Sequence, residues 1–113
     1  MLAKKYRLPI QTAIGKKGKE MRFQDFLVKI FSSNLPYSRF GIILKKGAIK
    51  KASDRNRIRR AIFDAIRIRQ KDFSLPNSDL LIITGSRISG AATEEIRKEI
   101  NGVFDVIMKR NSE

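Results

Sequence analysis

The chain has no cysteine and no histidine. The first absence excludes disulfides and thiolate metal sites, and it fits a reducing cytosol, so a cytoplasmic setting is expected. Together the two absences exclude zinc sites built on imidazole or thiol, and any histidine acid/base. Acidic side chains are scarce: 11 Asp and Glu stand against 25 Lys and Arg, a net charge of +14 on 113 residues. No run approaches the ~20 consecutive apolar residues that a membrane span needs. The opening residues, MLAKKYRLPI, are basic without a long apolar stretch, so no secretory signal is expected. There is no internal repeat, no low-complexity segment and no linker long enough to separate a pair of domains. With 42% apolar residues the chain can build one modest core. A single domain over residues 1–113 is expected, with a basic extended arm at 1–9 and a flexible tail at 110–113.

So large an excess of one sign opposes compact folding by self-repulsion and implies a polyanionic partner. Nucleic acid fits better than an anionic membrane, because the basic face described below lacks the apolar and aromatic belt of an interfacial helix. Nothing implies a small-molecule substrate.

The pattern along the chain alternates helical and strand signals. Residues 10–21 predict a short helix carrying Ile10, Ala13 and Ile14, which Gly15 and Gly18 then break. Phe23 to Phe31 predicts a strand, Asn34 to Ser38 a turn, and the segment from Arg39 a second strand with Phe40, Ile42 and Leu44 on one face. Ser53 or Asp54 is the expected cap of a helix running from about Asp54 to about Lys71. Pro76 and Asn77 mark a turn, and Asp79 to Thr84 reads as a strand buried on both faces. Thr93 is the expected cap of a last helix, whose residues Ile96, Ile100, Val103, Phe104, Ile107 and Met108 form one core-facing stripe. The order predicts a small α/β sandwich, a central few-stranded sheet with helices against it.

One quarter of the chain concentrates the charge. Lys45 to Lys71 contains eleven basic residues, and before Asp72 only Asp54 and Asp64 oppose them. Wound at 3.6 residues per turn, Ile58, Ala61, Ile62, Ala65 and Ile66 cluster on one side as an anchor. Asn56, Arg57, Arg60, Asp64 and Arg67 fall opposite, with Arg59 at the border. Arginine presents a planar fork that matches phosphate oxygens at every relevant pH. Lys45, Lys46, Lys50, Lys51, Arg55, Asn56, Arg57, Arg59, Arg60 and Arg67 are therefore the candidate RNA-binding residues. A solvated charged face would mix signs at i,i+4 spacing, whereas here four arginines in six residues have almost no acidic partners. Most aromatics belong to the core. Among them Phe23 and Phe26, near Arg22 and Lys29, are the better candidates for a surface that stacks single-stranded RNA. Gly15 to Lys19 lacks P-loop spacing, and Asp54, Asp64 and Asp79 make no metal cluster by spacing.

Lys51, Ala52, Arg55, Asn56, Arg59 and Arg60, with Arg39 and Gly41 upstream, resemble the signature of the bacterial ribonuclease P protein family. Arg7-Leu8, the DLLIIT strand and the closing helix resemble that family's remaining elements. The resemblance implies a non-catalytic protein subunit of a ribonucleoprotein endoribonuclease, whose partners are the catalytic RNA and precursor tRNA. It implies Mg²⁺ bound mainly by the RNA, a cleft for the 5′ leader lined by aromatics of the first helix, and a rare left-handed strand–helix–strand crossover carrying the basic helix; in this chain Arg22, Phe23, Phe26 and Lys29 are the possible leader-binding residues. The chain departs from the pattern at Lys50, where the family commonly has glycine, and at Phe63, where a basic residue is common. It also departs at Ile10, Ala13 and Ile14, which replace the phenylalanines of the first helix. Two other readings stay open on composition alone. One is a structural, ribosomal-type RNA-binding protein, separable by what RNA co-purifies with it. The other is a DNA-binding regulator, which needs a second helix shortly before residue 55.

Overall fold

The computed structural model describes residues 4–13, 17–44, 49–70, 78–85, 88 and 90–111. A 3-10 turn (Lys4–Tyr6) and a one-turn helix α1 (Ile10–Ala13) precede strands β1 (Lys19–Arg22), β2 (Phe26–Ser32) and β3 (Arg39–Ile43). Helix α2 (Ala52–Arg69), strand β4 (Ser78–Thr84) and helix α3 (Thr93–Asn111) follow. The four strands pair in the order β1-β2-β4-β3, antiparallel except for the parallel β3–β4 pair. β3 and β4 are thus parallel neighbours joined through α2, as expected.

Alternation along the strands divides the sheet into two faces. Phe26, Val28, Phe40, Ile42, Leu80 and Ile82 pack with the apolar sides of α2 and α3 in the main core. Phe40 meets Phe104 edge-on, with ring centroids 5.9 Å apart. Each fully buried Ile, Val, Leu or Phe of this layer contributes about 1.5–3 kcal/mol. On the other face Leu8, Phe31 and Leu81 form a smaller cluster against which Ile10 packs. Gly41 makes this possible: a Cβ there would lie 3.3 Å from Leu8 Cβ and 3.2 Å from Leu81 Cδ1.

Several expectations are corrected. The short helix is a single turn, Ile10–Ala13, and Lys19–Arg22, for which the sequence predicts no strand, is an edge strand. Pairing with β2 makes it one, and Met21 is its one side chain packed on the core. Ile14 lies outside the described residues. β2 starts at Phe26, not Phe23, because the Phe23 N–H donates to the Phe26 carbonyl at 2.8 Å and closes the hairpin. The arm is not wholly extended or free: Lys4–Tyr6 is a 3-10 turn, Arg7 bridges Phe40 in parallel, and Leu8 is buried. The tail expected from 110 is helical to Asn111, while 112–113 lie outside the described residues. α2 starts at Ala52 with Lys51 as its cap residue and no side-chain cap bond, so neither Ser53 nor Asp54 caps it. Thr93 is the first residue of α3, and Ala92 accepts that helix's first bond, from Ile96.

α2 and α3 run in the same direction. Arg57 meets Ala91, Asp64 meets Arg97, and Arg69 meets Asp105, in that order along both. Both positive dipole ends therefore lie at one end of the domain.

Candidate nucleic-acid interface

The anchor side of α2 is as the periodicity predicts: Ile58, Ala61, Ile62, Ala65 and Ile66 are all buried. Phe63 is buried with them, which the helical wheel alone did not indicate. Asn56, Arg59, Arg60 and Arg67 are exposed. Asn56, Arg60 and Arg67 make a line whose ends are about 16 Å apart along the axis, at 1.5 Å per residue. No ion pair involves Arg59, Arg60 or Arg67 among the described residues. Lys50 and Lys51 are exposed just before the helix. Lys45 and Lys46 lie outside the described residues.

Two arginines of the signature do other work. Arg55 donates from Nη1 to the carbonyls of Ile49 and Lys50, both at 3.0 Å. It fastens the segment that carries Lys50 and Lys51 to the helix start, while the buried Ile49 side chain anchors the same segment below. Arg57 donates to the Ala91 carbonyl at 2.9 Å, and its Nε lies 4.0 Å from Asp54. It is a tie between α2 and the approach to α3 as well as a cation on the basic side, so the purely outward role expected for it is corrected.

Arg39 and Gly41 are structural. Arg39 and Asp79 face each other across the parallel pair and form a two-bond fork at 3.0 and 2.8 Å. Asp79 is 3% exposed. Its hydrogen bond to Arg39 raises the guanidinium pKa above the ordinary value, and burial opposes that rise.

The candidate leader residues divide between the two faces. Arg22 and Lys29 lie on the face away from the helices, Arg22 opposite Leu27 and Lys29 opposite Glu20. Lys29 is 3.5 Å from the Glu20 carboxylate. Phe26 points the other way, is 3% exposed and belongs to the main core, so it has no ring face to offer a base. Phe23 is half-buried against the same core. The four residues are therefore not one surface, and Phe26 leaves the candidate set.

Sequence reasoning also passed over Arg97. It stands on α3 beside α2, 3.7 Å from Asp64 and 3.0 Å from Glu94, and lines a groove with Asn56, Arg57 and Arg60. Its signal was slight, a lone arginine next to two glutamates.

Among the described residues the element before α2 is strand β3, and no second helix of a DNA-binding two-helix unit stands there. Among the described residues no helix is long and apolar enough to cross a membrane. The same residues bring together no group of three or more Asp or Glu side chains that could hold a metal ion.

The Ribonuclease P family model matches residues 4–108. The chain is 30% identical over 108 residues to the ribonuclease P protein component of Staphylococcus haemolyticus, covering 93% of this chain and 92% of that protein. It is 29% identical over 86 residues to that of Coxiella burnetii, covering 76% of this chain and 69% of the relative. Among solved structures, the RNase P protein of Thermotoga maritima superposes with a TM-score of 0.73 at 25% identity, over 87% of this chain and 94% of that one. The Staphylococcus aureus RNase P protein superposes at 0.78 with 24% identity, over 90% and 94%. The chain belongs to the ribonuclease P protein family.

Proposed function

We infer that this chain is the protein component of a ribonuclease P. It binds the catalytic RNA and supports 5′ maturation of precursor tRNA in the cytoplasm. The observation that carries the reading is the exposed line Asn56, Arg60 and Arg67 with Arg59 beside it, whose cations have no ion-pair partner among the described residues, in a member of this family. The phosphodiester backbone is the ligand such a line fits, since each fork can meet two oxygens of one phosphate. Lys50 and Lys51, positioned through Arg55, extend it.

The chemistry belongs to the RNA, with Mg²⁺ bound mainly there. The protein offsets part of the charge repulsion within the RNA fold and between it and the substrate. Its benefit is therefore greatest when Mg²⁺ is scarce. The 5′ leader lies along the face of the sheet away from the helices, where Arg22 and Lys29 stand among the half-exposed Leu27, Ile43 and Ile83. With Phe26 buried and no phenylalanine in α1, leader contact here relies on charge and aliphatic surface more than on stacking.

The test is reconstitution with a bacterial ribonuclease P RNA, followed by cleavage of precursor tRNA across a Mg²⁺ series with and without the protein. Stimulation that shrinks as Mg²⁺ rises is expected, and no cleavage by the protein alone. Stimulation independent of Mg²⁺, or cleavage without the RNA, overturns the reading.

A further inference from the structure

We propose that the groove between α2 and α3 binds a phosphate of the RNA, and that Arg97 on α3 is an RNA-binding residue acting with Arg60. This rests on the RNA-binding reading above. Asn56, Arg57, Arg60 and Asp64 of α2 form one wall of the groove and Thr93 and Arg97 of α3 the other, enclosing about 450 Å³. Arg57 sets the spacing of the walls by its bond to the Ala91 carbonyl. Because the two helices are parallel, one end of the groove, at Ser53 and Thr93, lies at the positive ends of both dipoles, which favour an anion.

The Arg97 side chain is 38% exposed beside the groove, so its outer nitrogens can reach an anion there, while its Nε is sealed from solvent. Its Nη2 lies 3.7 Å from Asp64, well beyond the 2.7–2.9 Å typical of charge-assisted bonds, and its Nη1 contact is with Glu94, an exposed i,i+3 neighbour. Neither contact fills the fork. Across the groove Arg60 is exposed and has no partner among the described residues. One phosphate between the walls supplies oxygens to both guanidiniums. Asp64, 3.7 Å from Arg97, is the competing anion inside the groove.

The test is a salt titration of binding by Arg97→Gln, Arg60→Gln and the double variant. One arm uses the catalytic RNA of a bacterial ribonuclease P, the other a precursor tRNA. Each single change is expected to lower the slope of log affinity against log salt by roughly 0.7–0.9 in one arm, which identifies the source of the phosphate. Because the two residues share one phosphate, the double variant loses less than the product of the single losses. Arg97→Lys keeps the charge and retains most of the slope, and Asp64→Asn raises affinity several-fold. If Arg97 is only a strut, Arg97→Gln lowers the melting temperature while affinity and slope stay at wild type in both arms, and the proposal is wrong. Wild-type protein that binds neither RNA sinks the broader reading and this proposal with it. Wild-type binding with additive losses in the double variant removes the shared phosphate alone.

Discussion

Along α2, Arg59, Arg60 and Arg67 stand exposed with no ion pair among the described residues, on a helix whose other side is wholly buried. In the β1–β2 hairpin the cations are fewer, Lys29 already lies beside Glu20, and Phe26 is spent on the core. Both regions read as basic and suited to RNA in the sequence, and both anchor on one side, yet among the described residues only α2 presents several cations without an ion pair on the other. A helix spreads its residues around an axis, so six anchor positions leave a continuous outer line free. A strand offers each face only every second residue, and in β2 the aromatic alternation was needed for packing. The comparison predicts that α2 carries affinity and the hairpin carries, at most, discrimination.

The largest expected effect would break the hairpin's side of that contrast. Phe26→Ala should cost about 3–5 kcal/mol of stability, as large-to-small core changes do, and Ile62→Ala on α2 about 2–5 kcal/mol. Denaturant unfolding measures both. A stable Phe26→Ala protein that has lost only leader binding would return Phe26 to the RNA surface.

Next comes α2. Replacing Arg59, Arg60 and Arg67 together by alanine should remove roughly two units of salt slope for the catalytic RNA, at about 0.7 or a little more per contact. The melting temperature should stay within about 2 °C, since exposed positions away from packing matter little to stability. An unchanged slope would make the outer line an ordinary solvated face.

What was legible follows the same division. The anchor stripe of α2, the parallel β3–β4 pair and the buried β4 could be read because each depends on a local period or on the order of elements. β1 could not, because four residues with one core contact, Met21, carry no period of their own and become a strand only by pairing with β2. The roles of Arg39 and Arg57 were equally hidden. Their partners Asp79 and Ala91 are 40 and 34 residues away, and only the register of β3 on β4 and the parallel setting of the helices bring them together. Candidate cations were therefore recognised by type, but which of them were already engaged was a tertiary fact.

A smaller effect sharpens the hairpin's role. Arg22→Ala should weaken binding of precursor tRNA carrying a 5′ leader by a few-fold and leave leaderless RNA nearly unchanged, the loss expected of a single exposed phosphate contact. Competition binding with matched RNAs measures the ratio. An equal loss for both RNAs would assign Arg22 to general affinity, and the contrast with α2 would disappear.

The smallest effect concerns how the hairpin is held. Burial raises the Glu99 pKa from 4.5 to about 7, with hydrogen bonding to Asp25 and repulsion from it adding to the rise. Asp25 is in the β1–β2 turn, and its backbone carbonyl accepts from Gly85 at 2.8 Å. Two ionised carboxylates can only accept, so Asp25 Oδ1 and Glu99 Oε2 are buried without a donor, and a proton on Glu99 supplies one. Between the two pKa values the folded chain keeps a proton that the unfolded chain has lost. This contribution is complete below about pH 4.5 and is lost as pH rises through about 7. Solvent near a partly exposed pair reduces it to on the order of 1 kcal/mol, or about 3–6 °C in melting temperature for a domain of this size. The chain has no histidine to add its own titration in this window. Wild-type melting temperature should fall from pH 5.5 to 8, and Glu99→Gln, whose amide donates at every pH, should remove most of the fall. A flat wild-type profile, or the same slope in Glu99→Gln, would mean that the turn is seated on α3 by packing alone.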